Sequence, residues 1–217
     1  MSELQEIEAK FEIDKHDRQV LFASSTVGDF VVQERKSKTH DDIYFDTDDA
    51  LLAATGSTLR VRRTEQGSLM TFKGRRESGG HQDEAHIASR LEDEVQLDTD
   101  QASSVSIDAS LPAFDDVSPL ARARSIVGDA DLRPIARLQY TRSTLLLSDD
   151  TGATLELAID DCVGTRFSDG RKIAFDEVEL ETKTAGRTEL LRASSALGEL
   201  VPGLRPSHAT KLGRTLD

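Results

Sequence analysis

Glu6-Ile7-Glu8-Ala9-Lys10-Phe11 alternates charged and apolar residues with a period of two. Successive side chains of a β-strand point to opposite faces, so Glu6, Glu8, Lys10 and Glu12 share one face and Ile7, Ala9, Phe11 and Ile13 the other. One such strand is ordinarily half-buried, with its charged face in water. The pattern gains meaning because it returns, with both charge signs, in several later segments. Arg60 and Arg62 oppose Leu59 and Val61. Lys73 opposes Met70 and Phe72. Arg90, Glu92 and Glu94 oppose Leu91, Val95 and Leu97. Glu156 and Asp160 oppose Leu155, Leu157 and Ile159, and Glu177, Glu179 and Glu181 oppose Val178 and Leu180.

Composition narrows the function classes. The chain has 217 residues, 37% hydrophobic and 31% charged, with 27 Lys and Arg against 40 Asp and Glu for a formal charge of −13. That balance argues against a surface built to bind nucleic acid through phosphate attraction. It leaves room for an anionic ligand in a cleft whose own Lys and Arg set the local field. Cys162 is the single cysteine, so no intramolecular disulfide forms and a cytoplasmic location is expected. No apolar leader and no run near ~20 apolar residues is present, so neither secretion nor membrane spanning is expected.

Strands are expected over 4–13, 30–36, 42–47, 57–63, 69–75, 87–97, 135–147, 153–160 and 175–183. Helices are expected over 15–27 with Asp14 as N-cap, over 118–127 with Ser118 as N-cap and Pro119 first, and over 187–200. A short turn or helix over 48–55 stops at Gly56. Residues 65–68 and 148–152 read as hairpin turns, and 76–86 as a polar loop. Residues 1–217 read as one domain in which 98–129 connects two strand-rich halves.

Strands joined by hairpins make a mainly antiparallel sheet. The sheet is either open with a solvated charged face, or closed with helices outside and charges inside. The mixture of signs favours the closed α+β form: an eight-stranded antiparallel β-barrel, or tunnel, with a charged interior and flanking helices. About eight strands leave room for side chains or one small ligand. Burying an unpaired charge costs several kcal/mol, so the interior must be wet, internally paired or neutralised by ligands. Carboxylates suit Mg²⁺ or Mn²⁺, and Arg and Lys suit phosphate oxygens. Such a lining matches a metal–polyphosphate complex.

These residues resemble the CYTH domain, or triphosphate tunnel metalloenzyme, family. Its Glu-x-Glu-x-Lys signature is similar to Glu6, Glu8 and Lys10, and a Tyr-Phe-Asp-Thr block stands at Tyr44 to Thr47. Gly56, Leu59, Arg60 and Arg62 form its Gly-x-x-Leu-Arg-x-Arg block. Lys73 resembles its strand lysine, and Arg90, Glu92 and Glu94 its Arg-x-Glu-x-Glu strand. Glu177, Glu179 and Glu181 with Lys183 and Gly186, then Thr210-Lys211, complete the order.

The resemblance implies a tunnel that binds triphosphates with divalent metal. It implies Glu6 and Glu8 as metal ligands helped by Glu177 and Glu179, and Glu92, Glu94 and Glu181 at a second metal or its waters. Asp160 and Glu156 are further acidic contributors. It implies Lys10, Arg60, Arg62, Lys73, Arg90, Arg137 and Lys211 as phosphate-binding residues. Glu6, Glu8, Lys10 and Glu179 are then the catalytic set. Arg137 and Arg142 have opposite parity, so one of them lines the tunnel unless a bulge intervenes; Arg137 is favoured. The histidines show no metal-ligand spacing.

The expected activity is metal-dependent hydrolysis of a triphosphate. Inorganic triphosphate is favoured because it needs no ring pocket, and the chain has no Trp and two Tyr. The alternatives are a class IV type adenylyl cyclase, a thiamine-triphosphatase, and a non-catalytic polyphosphate- or nucleotide-binding module. The module would have no need of the acidic pairs.

Overall fold

A computed structural model describes residues 5–64, 66–78 and 87–217. The chain runs β1 (Gln5–Glu12), α1 (Lys15–Ala23), β2 (Thr26–Val27), β3 (Phe30–Asp46), α2 (Leu51–Ala54), β4 (Thr58–Thr64), β5 (Gly67–Lys73), β6 (Glu77–Ser78) and β7 (Ile87–Leu97). It continues through α3 (Thr99–Ser104), α4 (Ser118–Val127), β8 (Arg133–Ser148), β9 (Thr154–Arg166), β10 (Lys172–Thr182), α5 (Arg187–Leu200), β11 (Arg205–Pro206) and α6 (Lys211–Leu216). Eight of these strands close on themselves in the order β1-β10-β9-β8-β3-β4-β5-β7, and β7 pairs back onto β1. Every pairing is antiparallel.

Register explains why the ring closes with its charges inward. Lys10 stands opposite Glu179, Arg142 opposite Asp160, Asp42 opposite Arg62, and Lys73 opposite Glu92. Opposite charges on facing strand positions favour pairing, and a slip of one residue would turn each pair to the other face. The outward face is apolar and covered. Ala9, Phe11, Leu157, Val178 and Leu180 pack with Leu190, Ala193 and Leu197 of α5 and Leu21 of α1. Ile43, Leu59, Val61, Met70 and Phe72 pack with Leu120, Ala123 and Val127 of α4 and Leu52 of α2. Asp46 and Thr47 tie α2 to the end of β3: Asp46 accepts from the Leu52 and Ala53 amides at 2.9 and 3.0 Å, and Thr47 from Leu51 at 3.0 Å.

A third apolar cluster lies inside the ring. Tyr44, Ala136, Leu138, Tyr140 and Cys162 share the inward parity, and Leu212 of α6 packs among them. α6 therefore crosses one end of the tunnel and fills it. Arg166 and Arg171 anchor its C-terminal end by donating to the Leu216 and Asp217 carbonyls.

Several expectations are corrected. The two strands expected over 30–36 and 42–47 are one, because β3 pairs with β8 from Val31–Ser148 to Asp46–Arg133 through the polar middle, with irregularities at Val32/Glu34 and Tyr44/Phe45. α1 ends at Ala23, where the chain turns into β2. Val117, rather than Ser118, is the N-cap of α4, and Ser118 instead donates to Asp93 at 3.0 Å. The expected 76–86 loop contains β6, which pairs with β7; residues 79–86 lie outside the described residues. α3 and α6 were not expected; each has fewer than two full turns of pattern to read. No helix among the described residues is long and apolar enough to cross a membrane.

Gly164, on the inner face of β9, shows how closely α6 is seated. A Cβ there would stand 2.3 Å from Thr215 Oγ1 and 2.7 Å from its Cγ2. Gly164→Val is expected to lower stability by roughly 1–3 kcal/mol, read as a fall in Tm. An unchanged Tm would mean that α6 is not docked against β9.

Candidate functional site

A cavity of about 60 Å³ inside the ring is lined by Lys10, Tyr44, Arg60, Arg62, Lys73, Arg90, Tyr140, Arg142, Glu179 and Lys211. Each reaches it because of the strand alternation, except Lys211, which α6 carries in from the plugged end. Thr210 caps that helix by accepting from the Gly213 amide at 2.9 Å.

The charges fall into two networks. In the first, Glu179 receives Lys10, Arg142 and, at 2.8 Å, Lys211. Lys211 also reaches Glu177 at 2.6 Å and Asp160 at 3.0 Å, and Arg142 chelates Asp160 at 2.7 and 2.8 Å. Burial opposes ionisation of Glu179, but Lys10, Lys211 and Arg142 outweigh it and hold its pKa well below the usual carboxylate range. Burial likewise opposes a charged Lys211, and its three carboxylates outweigh that and raise its pKa.

In the second network, Asp42 is fully buried and accepts from Arg62 Nε at 2.8 Å, Arg62 Nη2 at 2.9 Å and Arg60 Nη1 at 3.1 Å. Arg62 also donates to the Tyr140 hydroxyl. Burial opposes ionisation of Asp42, but the two arginines hold its pKa at about 2. His40 lies against Tyr140, ring centroids 4.9 Å apart. Burial, then Arg62, pushes its pKa down to about 4, so it stands neutral.

Around these networks, Glu8 lies 3.0 Å from Arg90 and 3.7 Å from Lys10. Glu92 lies 3.1 Å from Lys73, Glu94 accepts from Thr71 at 2.7 Å, and Glu181 pairs with Lys183 at 2.9 Å near the open end. The side chain of Glu6 lies outside those described; its backbone pairs with Arg90.

Arg137 is the expected site residue that the structure places elsewhere. It chelates Asp41 on the outer face at 2.7 and 2.8 Å, whereas Arg142 faces the cavity. The β8–β9 register runs unbroken from Ala136 to Ser148, so no bulge exchanges the faces. Leu138 and Tyr140 made the Arg142 face look like the outside. Those residues are apolar because they meet the plug helix inside.

Asp42, Tyr140 and Arg142 are the residues the motifs did not single out. Asp42 shares parity with Tyr44 and stood within reach of a period-two reading of β3. Arg76 and Arg214 also approach the carboxylates, at 4.0 Å from Glu8 and 3.8 Å from Glu177.

The carboxylate chemistry fits a hard divalent cation. Glu8 Oε1 and Glu177 Oε2 are buried and make no aligned hydrogen bond among the described residues, although each faces an arginine, Arg90 at 3.0 Å and Arg214 at 3.8 Å, so each keeps lone-pair capacity for a cation. The other oxygen of each approaches Lys10, Glu8 Oε2 at 3.7 Å and Glu177 Oε1 at 3.6 Å. Among the described residues no three His, Cys, Asp or Glu side chains gather to hold one ion. The carboxylates are engaged by Lys and Arg instead.

The sequence matches the CYTH domain over residues 4–216, and the chain belongs to that family. An adenylyl cyclase candidate from Hippeastrum with a dominant triphosphatase activity is similar in fold, with TM-score 0.65 and 18% identity over 97% of this chain and 95% of that one. An adenylate cyclase candidate from Bacillus halodurans gives TM-score 0.65 and 21% identity over 98% and 97%. The Mimivirus capping enzyme triphosphatase gives 0.54 and 13% over 91% and 90%. No curated protein matches the sequence.

A carboxyl whose pKa is depressed by folding contributes stability that is complete above its unfolded value, ~3.9 for Asp, and is lost as pH falls through the folded value. With Asp42 at about 2, its contribution disappears between about pH 4 and pH 2. Thermal denaturation is expected to show Tm falling steeply across that window, with a smaller fall in Asp42→Asn. An Asp42→Asn profile parallel to that of the wild type would contradict the assignment.

Proposed function

We propose that this protein is a divalent-metal-dependent hydrolase of triphosphate-containing substrates, with inorganic triphosphate as the favoured substrate. The observation that carries the reading is a cavity where Arg60, Arg62, Lys73, Arg90 and Arg142 converge beside the Lys10–Glu179–Lys211 network. The triphosphatase activity of the Hippeastrum and Mimivirus proteins supports it.

Phosphoryl transfer asks a protein mainly for positioning and charge stabilisation. Arg60, Arg62, Lys73, Arg90 and Arg142 bind and orient the phosphoryl oxygens. Lys10 and Lys211 leave Glu179 for the same oxygens, which frees the carboxylates they pair with. Glu8 and Glu177, helped by Glu6 and Glu179, would hold Mg²⁺ or Mn²⁺, with Glu92, Glu94, Asp160 and Glu181 as outer acidic support. When bound, the metal supplies Lewis-acid neutralisation of the phosphate chain and orientation of water. The acidic set distinguishes this reading from a non-catalytic anion-binding module, which needs the cations alone.

One observation favours a second reading, an organic triphosphate. Beyond Arg62 a cavity of about 450 Å³ opens at the unplugged end, lined by Lys38, His40, Gln66, Leu69 and Gln96 among others. That volume suits a nucleoside-sized group.

Phosphate, pyrophosphate and cyclic nucleotide release from inorganic triphosphate, ATP and thiamine triphosphate, measured with Mg²⁺, Mn²⁺ or EDTA, tests both readings. Metal-dependent phosphate release, strongest with inorganic triphosphate, is expected; turnover unaffected by EDTA, or none at all, contradicts the proposal. Arg142→Gln is expected to raise KM by about tenfold or more. Arg137→Gln, on the outer face, should change KM by less than about twofold. The reverse order would return Arg137 to the tunnel.

A further inference from the structure

Asp42 is an inward carboxylate that stands behind two arginines of the cavity wall and, unlike Asp160, takes no bond from a lysine. It is fully buried and does not line the cavity, while Arg60 and Arg62 do. The two arginines are two residues apart on one face of β4, roughly 6.7 Å at the backbone. Two guanidinium groups so placed repel each other, and long side chains answer repulsion by turning away from one another. Asp42 lies directly opposite Arg62 in the β3–β4 register, and its carboxylate bridges both. It chelates the Nε–Nη2 edge of Arg62 with two bonds and takes a third from Arg60. Tyr140 closes the arrangement, accepting from Arg62, with the Arg62 guanidinium carbon 5.6 Å from the centre of its ring.

We propose that Asp42 is a positioning residue that clamps Arg60 and Arg62 side by side as one anion-binding surface for the phosphate chain. The inference rests on the triphosphate reading of the cavity and adds to it a residue that touches no substrate. The Glu179 network differs in kind. Glu179 lines the cavity and holds its cations where a phosphate can displace it. Asp42 is sealed behind its arginines, so its ion pairs persist through binding. The bidentate geometry fixes the plane of a guanidinium as well as its position. That plane is what presents a paired set of donors to phosphate oxygens.

The role predicts a split in kinetic constants. Loosening two ground-state contacts weakens binding, while the reacting centre keeps its other cations. Asp42→Asn is expected to weaken inorganic triphosphate binding, by calorimetry, about tenfold or more. The matching rise in KM should come with less than about a threefold change in kcat. In an Arg60→Gln/Arg62→Gln background the same substitution has nothing left to position. There it should change the Kd by less than about twofold and raise Tm, because an orphaned buried carboxylate is removed.

That background comparison serves equally if Asp42→Asn alone does not fold. A folded Asp42→Asn protein with unchanged Kd overturns the proposal, as does a further tenfold loss in the background lacking both arginines. Wild-type protein that binds inorganic triphosphate but does not turn it over overturns the hydrolase reading and leaves the calorimetric test of Asp42 standing. Wild-type protein that does not bind it overturns both.

Discussion

Charges that face the inside of a closed ring must be compensated there, and the rest of this structure depends on that constraint. Two unit charges about 4 Å apart attract by roughly 4 kcal/mol at an effective dielectric of ~20, while removing each from water costs several kcal/mol. Pairing thus offsets burial without leaving a large surplus. The strand registers place opposite charges across from one another, at Lys10–Glu179, Arg142–Asp160, Asp42–Arg62 and Lys73–Glu92. The same registers put the apolar residues outside, under α1, α2, α4 and α5. One alternation thus specifies the core and the site together.

A neutralised interior is also one that can exchange partners. Glu179 is held by three cations, and all of them face the cavity or its floor. A phosphate chain brings negative charge to those cations without adding to the number of uncompensated groups. In the proposed reading the carboxylates would then lose their partners and become the acidic half of a site suited to a divalent ion. The cavity is small because Lys10, Lys211 and Arg142 lean across it onto Glu179. Asp42 would stay out of this exchange, which would leave part of the cationic wall preformed.

The alternation makes most of this legible in the sequence. Glu8, Lys10, Arg60, Arg62, Lys73, Glu177 and Glu179 all announce themselves by parity, and the hairpin turns arrange them around one sheet. What parity could not announce is which apolar residues point inward. Leu138, Tyr140 and Cys162 face inward because α6 fills one end of the tunnel, and α6 is too short to show a helical period. Parity read without that plug therefore puts Arg142 on the wrong side of β8. The polar middle of β3 read as a break because strand propensity there is low; pairing with β8 along its whole length overrides it. Asp42 passed unremarked because its importance lies in a cross-strand partner, and register is a property of two strands at once.

The exchange of ion pairs is tested most directly by a crystal structure of the protein with Mg²⁺ and a slowly hydrolysed triphosphate. The account predicts phosphate oxygens on Arg60, Arg62 and Arg142, with Lys10 and Lys211 moved off Glu179 onto the ligand and Asp42 still chelating Arg62. A triphosphate bound elsewhere, with the Lys10–Glu179–Lys211 network intact, would contradict it.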